Sequence, residues 1–189
     1  MTYALFLLRV GTTERIQRFG RILTALEGSA DIHSPDSVLQ LTPAECASVA
    51  TTLDGPVYLG VKTRLPLLLR LDELLSAGGV THHPDVITVE HVMPQNPAPG
   101  SGWVSTFPAP DVRDSWVHRL GNLALLPRRK NSQAGNLDFI PKKTQYFVRN
   151  GTTTFALTTQ IVNSTVWDEK TLHKRQADLL AVMKKEWRL

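Results

Sequence analysis

With 189 residues, 42% hydrophobic and 20% charged, the chain has the composition of a globular domain with a real core, and no apolar run approaches the roughly 20 residues a membrane-spanning helix needs. A single cysteine, Cys46, excludes an internal disulfide and a Cys-rich zinc knuckle. The net charge of +4 is unevenly spread: residues 1–90 carry seven Lys and Arg against ten Asp and Glu, whereas 117–150 carry Arg119, Arg128, Arg129, Lys130, Lys142, Lys143 and Arg149 against Asp138 alone, a balance that suits a polyanion such as nucleic acid as well as a solvated basic face.

The opening MTYALFLLRV has no basic residues before it and no small-residue cleavage site after it, so no signal peptide is read and a cytoplasmic setting is expected. A helix follows, starting near Thr13-Glu14, with Ile16, Phe19, Ile22, Leu23 and Leu26 on one stripe expected to pack on a core before Gly28. Thr42-Pro43-Ala44-Glu45 announces a second helix: Thr42 can cap, Pro43 suits the first turn, and Glu45 completes a capping box. Cys46 falls on this helix and is expected in the core. From Val57 to Ala77 runs a third helical segment, which Pro66 is expected to break or kink before Gly78-Gly79.

After Thr81-His82-His83 the periodicity changes to two, and Val86 to His91 reads as a short strand ending in EHVMPQNP. Residues 96–115, rich in Pro, Gly and Ser, read as an irregular connection. LGNLALLP reads as a second strand, RRKNSQAGN as a short helix or turn, and PKKTQYFVRNG as a helix from Pro141 to Gly151. TTTFALTTQIV, rich in β-branched residues, reads as a strand. Thr165 to Trp187 reads as an amphipathic helix with Thr165 as its cap.

Strand, connection, strand and short helix over 86–136 would bring Glu90, His91, Asn122 and Asn131 together. Water is a poor nucleophile, so phosphodiester hydrolysis needs a base that titrates near working pH, and histidine does so unperturbed. His91 is the candidate base. Glu90 and the amide oxygen of Asn131, with Asn136 as its rival, form a hard oxygen set that fits Mg²⁺ or Mn²⁺ better than zinc, since such ions keep several waters and share substrate oxygens. Asn122 is the candidate for steadying the imidazole or its loop. His82-His83 and His118 lack the spacing of a zinc site. Trp167 and Trp187, flanking the last helix, are expected in the core, whereas Trp103 and Trp116 are the tryptophans placed to stack on DNA.

EHVMPQ, a tryptophan-containing spacer, HRLGNLALL, Asn131 and FIPKKTQYF, followed by Phe155-Ala-Leu-Thr, Trp167, Arg175 and Trp187, resemble the C-terminal nuclease domain of GmrSD-type, modification-dependent restriction enzymes, a branch of the HNH, or His-Me finger, nucleases. The likeness covers roughly 80–189 and extends through the preceding helices. It implies a mainly helical α+β domain with an embedded ββα-metal finger: 1–80 helical scaffold, 86–136 finger, 137–189 C-terminal helical part. It further implies His91 as general base, Glu90 and Asn131 as metal ligands, Asn122 as the middle asparagine of the finger, and Lys142 or Lys143 as the lysine after the finger that meets a phosphate; on charge, Arg128, Arg129 and Lys130 with Lys142 and Lys143 are the expected DNA-binding residues. The implied activity is Mg²⁺- or Mn²⁺-dependent DNA cleavage, by nicking or cutting, in defence against modified or phage DNA. The implied partner is a nucleotide-hydrolysing domain of the ParB/sulfiredoxin-like type, whose signature is not found in these residues. The rival functions are a catalytically silent DNA- or partner-binding module and an RNA-directed nuclease.

Overall fold

The computed structural model describes residues 1–76, 87–127, 135–148 and 155–189. They form two compact units, Met1–Leu53 with Lys184–Leu189, and Asp54–Met183.

In the first unit, α1 (Thr2–Leu7) packs against α3 (Pro43–Leu53), burying Ala4, Leu5, Val49 and Leu53. The predicted capping box is formed: the Glu45 amide donates to Thr42 Oγ1 at 3.2 Å and the Thr42 amide to Glu45 Oε2 at 2.8 Å, so two helix-end donors are satisfied reciprocally. Helix α2 (Thr12–Glu27) departs from the expectation that its apolar stripe packs on a core. Ile16, Phe19, Leu23 and Leu26 are exposed, and the buried residue is Arg18, whose guanidinium binds Glu45 and the carbonyls of Val38 and Gln40. Amphipathic spacing shows that a stripe exists; whether anything covers it is decided by the rest of the chain. Cys46 is half-buried rather than core.

The second unit opens with a 3₁₀ turn (Val57–Leu59) and α4 (Arg64–Leu75). Pro66 does not break this helix. It stands in the first turn, where backbone N–H groups have no intrahelical partner for a proline to remove. Strand β1 (Ile87–His91) pairs antiparallel with β2 (Leu123–Pro127), with Glu90 opposite Ala124 and His91 opposite Leu123. Strand β1 is the one expected from the period-two pattern, and β2 falls within LGNLALLP as expected, its Leu123–Leu126 buried in succession rather than alternately.

The segment read as an irregular connection instead holds two short helices, α5 (Gly102–Thr106) and α6 (Pro110–Val117). Trp103 and Phe107, four residues apart, are buried, and Trp103 Nε1 donates to the Leu137 carbonyl at 2.9 Å. Burial of two aromatic rings outweighs the surrounding Pro, Gly and Ser. Trp116 is buried too, so neither tryptophan proposed to stack on DNA is available for it; Trp167 is in the core as expected, whereas Trp187 is half-buried rather than core.

After β2 come α7 (Phe139–Lys142), which continues as a π turn (Lys143–Phe147), then α8 (Ala156–Asn163) and α9 (Glu169–Trp187). Helix α8 replaces the strand expected from TTTFALTTQIV. Its Leu157 amide donates to the buried Asp72 carboxylate at 2.8 Å, and Thr158 Oγ1 donates to the Leu125 carbonyl at 2.7 Å. These tertiary partners, with buried Leu157 and Ile161, override a modest β preference. Asp168, not Thr165, caps α9, accepting the Thr171 amide at 2.8 Å. The core of the unit gathers Val92, Met93, Trp103, Phe107, Trp116, Phe139, Phe147, Ile161, Trp167 and Leu172 around the sheet. The result is a mainly helical α+β architecture, and no helix among the described residues is long and apolar enough to cross a membrane.

Candidate active site

Strand β1 ends at His91 because the chain bends at Val92-Met93 ahead of Pro94. Asn122 fixes that bend. Fully buried in the turn just before β2, it accepts the Met93 amide at 2.8 Å and Trp167 Nε1 at 3.3 Å through Oδ1, while its Nδ2 donates to the carbonyls of Met93 at 2.9 Å and Val117 at 3.0 Å. All four hydrogen-bonding positions of the amide are used. Asn122 therefore steadies the loop that follows His91 and makes no bond to the imidazole itself.

The LGN turn carrying Asn122 is clamped from α9. Arg175 Nη1 donates to the carbonyls of Leu120, Gly121 and Leu123, and Nη2 to that of Leu157. Burial lowers its pKa to about 9, which leaves it charged at neutral pH. Gly121 donates its amide to Gln176 Oε1 at 2.7 Å. A Cβ at this position would lie 2.9 Å from the Leu172 carbonyl oxygen, so the close approach of turn and helix requires glycine.

Glu90 and His91 project to different partners, as strand alternation dictates. The Glu90 carboxylate meets Lys142, with Nζ 2.7 Å from Oε1. The same ammonium donates to the carbonyls of His91 at 2.6 Å and Gly135 at 3.3 Å, so its three protons have three acceptors. Burial raises the Glu90 pKa and lowers that of Lys142, each opposed by the charge of the other.

His91 is 5% exposed. Its Nε2 lies 3.1 Å from His118 Nδ1, and its Nδ1 lies 3.4 Å from Gln95 Nε2. Tyr58 packs on both imidazoles, tilted against His91 at 4.1 Å between ring centroids and stacked on His118 at 5.3 Å and 7°; the Arg64 guanidinium covers Tyr58 at 4.3 Å. Burial, reinforced by the charges of His118, Lys142 and Arg64, pushes the His91 pKa down to about 3. The surroundings thus favour the neutral imidazole over the imidazolium and make His91 a weaker base than a free histidine, a departure from the expectation of a base that titrates near working pH.

Of the residues singled out from sequence, Glu90, His91 and Lys142 are thus brought together, with Asn122 behind them. Lys143 is turned away, donating to the Ser164 carbonyl at 2.6 Å, and Asn136 is exposed. Asn131, Arg128, Arg129, Lys130, Arg149 and the His82-His83 pair lie outside the described residues. Sequence reasoning missed Tyr58, Arg64 and Gln95, and weighed His118 only as a zinc ligand. Gln95 and His118 carried a signal, standing within EHVMPQ and HRLGN; Tyr58 and Arg64, inside an apolar helical segment, carried none.

A mainly helical α+β domain whose small sheet delivers an acid–histidine pair, backed by a buried asparagine, defines the class. Over residues 57–182 the chain matches the family described as GmrSD restriction endonucleases, C-terminal domain, and it belongs to that family. This makes it a nuclease domain of restriction-endonuclease type, with DNA as the substrate class. No curated protein and no solved structure matches the chain.

Proposed function

We propose that this domain hydrolyses DNA phosphodiesters with a divalent cation, in the manner of an HNH nuclease, with His91 as general base. The observation that carries the reading is the placement of His91: it stands at the end of β1 beside Glu90, ahead of the bend fixed by Asn122, with one ring nitrogen facing only a long amide contact. In the reaction the base takes a proton from water as the water oxygen bonds to phosphorus. The bond to the leaving oxygen breaks with its electron pair, and that oxygen takes a proton from solvent.

The donor chemistry around His91 fits a hard cation. Lys142 engages Glu90 Oε1, and no described residue engages Oε2. Glu90 would hold the ion, with Asn131 completing the pair of protein ligands and Asn136 as its rival; Mg²⁺ and Mn²⁺ accept such sparse sets. Among the described residues no group of three or more His, Cys, Asp and Glu is arranged to hold a metal. When bound, the cation would supply Lewis-acid stabilisation of the charge developing on the phosphate.

Arg128, Arg129 and Lys130 are the proposed phosphate contacts. Lys142, with all three protons engaged inside the protein, instead ties α7 to the end of β1. Phosphate contacts of this kind position DNA without reading its sequence. In this reading, target choice, modified or phage DNA, belongs to a nucleotide-hydrolysing partner domain.

The test is cleavage of supercoiled plasmid with Mg²⁺ or Mn²⁺, with EDTA, and with His91→Ala, alongside an RNA substrate. Cleavage that EDTA abolishes and His91→Ala lowers by at least about 100-fold supports the proposal. Cleavage that survives His91→Ala refutes the assigned base, inactivity with either metal favours the silent binding module, and cutting of RNA alone favours the RNA-directed reading.

A further inference from the structure

His91 has two ring nitrogens, and general-base catalysis needs a lone pair on the one that meets water. Which nitrogen carries the proton is set by the partner of the other. An amide nitrogen can only donate a hydrogen bond. The group facing His91 Nδ1 is Gln95 Nε2, at 3.4 Å, a donor that matches an unprotonated Nδ1 and a proton on Nε2. That proton points at His118 Nδ1, 3.1 Å away, which must then be an acceptor. The chain of donors runs from Gln95 to His91 to His118 without conflict.

The two contacts differ in strength. The Gln95 contact is at the outer limit of a hydrogen bond and is readily replaced by a water molecule, whereas the His118 contact is of ordinary length. His118 is also held in plane by the Tyr58 ring stacked on it, which the Arg64 guanidinium covers in turn. A rigid acceptor behind the base is the arrangement that fixes an imidazole's tautomer and orientation.

We propose that His118 is a positioning residue: it accepts the His91 Nε2 proton, holds His91 in the Nε2–H tautomer, and reserves Nδ1 for the proton of the attacking water. The proposal deepens the nuclease reading and rests on it for its catalytic meaning, although the tautomer is a property of the free protein.

The experiment uses ¹⁵N-detected NMR of the histidine side chains in the full chain, at a pH where both imidazoles are neutral, together with steady-state cleavage kinetics. The wild type is expected to show His91 Nδ1 unprotonated and Nε2 protonated. His118→Ala is expected to mix the two tautomers and lower kcat by about 10–100-fold with KM little changed. His118→Asn, whose amide oxygen can stand where Nδ1 stood, is expected to restore the wild-type tautomer and most of the rate. A wild-type His91 protonated on Nδ1, or a tautomer ratio and kcat that ignore His118→Ala, overturns the proposal. If cleavage survives His91→Ala, the nuclease assignment of His91 fails separately, and the NMR result still decides whether His118 sets the tautomer.

Discussion

Lys142→Met removes a buried ammonium while nearly preserving the shape of its side chain. In the wild type that ammonium is fully buried and touches Glu90 Oε1 at 2.7 Å and the His91 carbonyl at 2.6 Å, with the Gly135 carbonyl at 3.3 Å. The variant leaves a carboxylate whose side chain is 13% exposed without its counter-charge, and two carbonyls without that donor. Breaking one side of a buried pair costs about 3–5 kcal/mol, and an unsatisfied buried acceptor about 1–3 kcal/mol. Since Glu90 keeps some contact with water and can take up a proton, the expected loss is about 3–5 kcal/mol in all.

Urea unfolding followed by tryptophan fluorescence measures this loss, because Trp103, Trp116 and Trp167 are buried in the unit that contains the site. The transition midpoint should fall with little change in slope. Adding Glu90→Gln should recover a large part of the loss, since the amide carries no charge to strand. A single variant within about 1 kcal/mol of wild type, or a double variant no better than the single, refutes the account of Lys142 as a buried counter-charge.

Three further outcomes follow from the same geometry. Asn122→Ala leaves the Met93 amide and the carbonyls of Met93 and Val117 without their side-chain partner and should cost about 3–5 kcal/mol in chemical denaturation; Asn122→Asp should cost at least as much, because a carboxylate would face two carbonyls. Gly121→Ala should destabilise measurably by thermal melting, its Cβ falling 2.9 Å from the Leu172 carbonyl oxygen. The His91 pKa is depressed on folding from 6.5 to about 3, so its contribution to stability is fully present above pH 6.5. It is lost as pH falls toward 3, because the unfolded chain binds the proton first. Measured in EDTA, wild type should lose up to about 5 kcal/mol across that window relative to His91→Phe, and parallel pH–stability curves for the two proteins would show that His91 is not held neutral by the fold.

The chemistry-bearing residues were legible because their signals are local. An alternating run that stops at Glu90-His91, a turn at Gly121-Asn122, and the Thr42/Glu45 capping box each rest on geometry spanning a few residues. The mistakes fall where the deciding partner is distant in sequence. FALTTQIV has β-branched composition, and it becomes helix α8 because Asp72 receives its Leu157 amide and the Leu125 carbonyl its Thr158 hydroxyl. The Trp103 segment has loop composition, and it becomes helix because two aromatic rings find the core. On α2 the stripe was read correctly as a pattern and incorrectly as a buried face.

Sequence alone determined the fold class, the two strands, and the family to which residues 57–182 match, since these depend on the identity and spacing of nearby residues. Only the tertiary structure decided what those residues do for one another. It assigned Lys142 to Glu90 rather than to solvent, turned Asn122 toward the Met93 backbone rather than the imidazole, and set His118 behind His91 from 27 positions away in the chain. Those pairings depend on burial and direction, and neither is a property of a residue's place in the sequence.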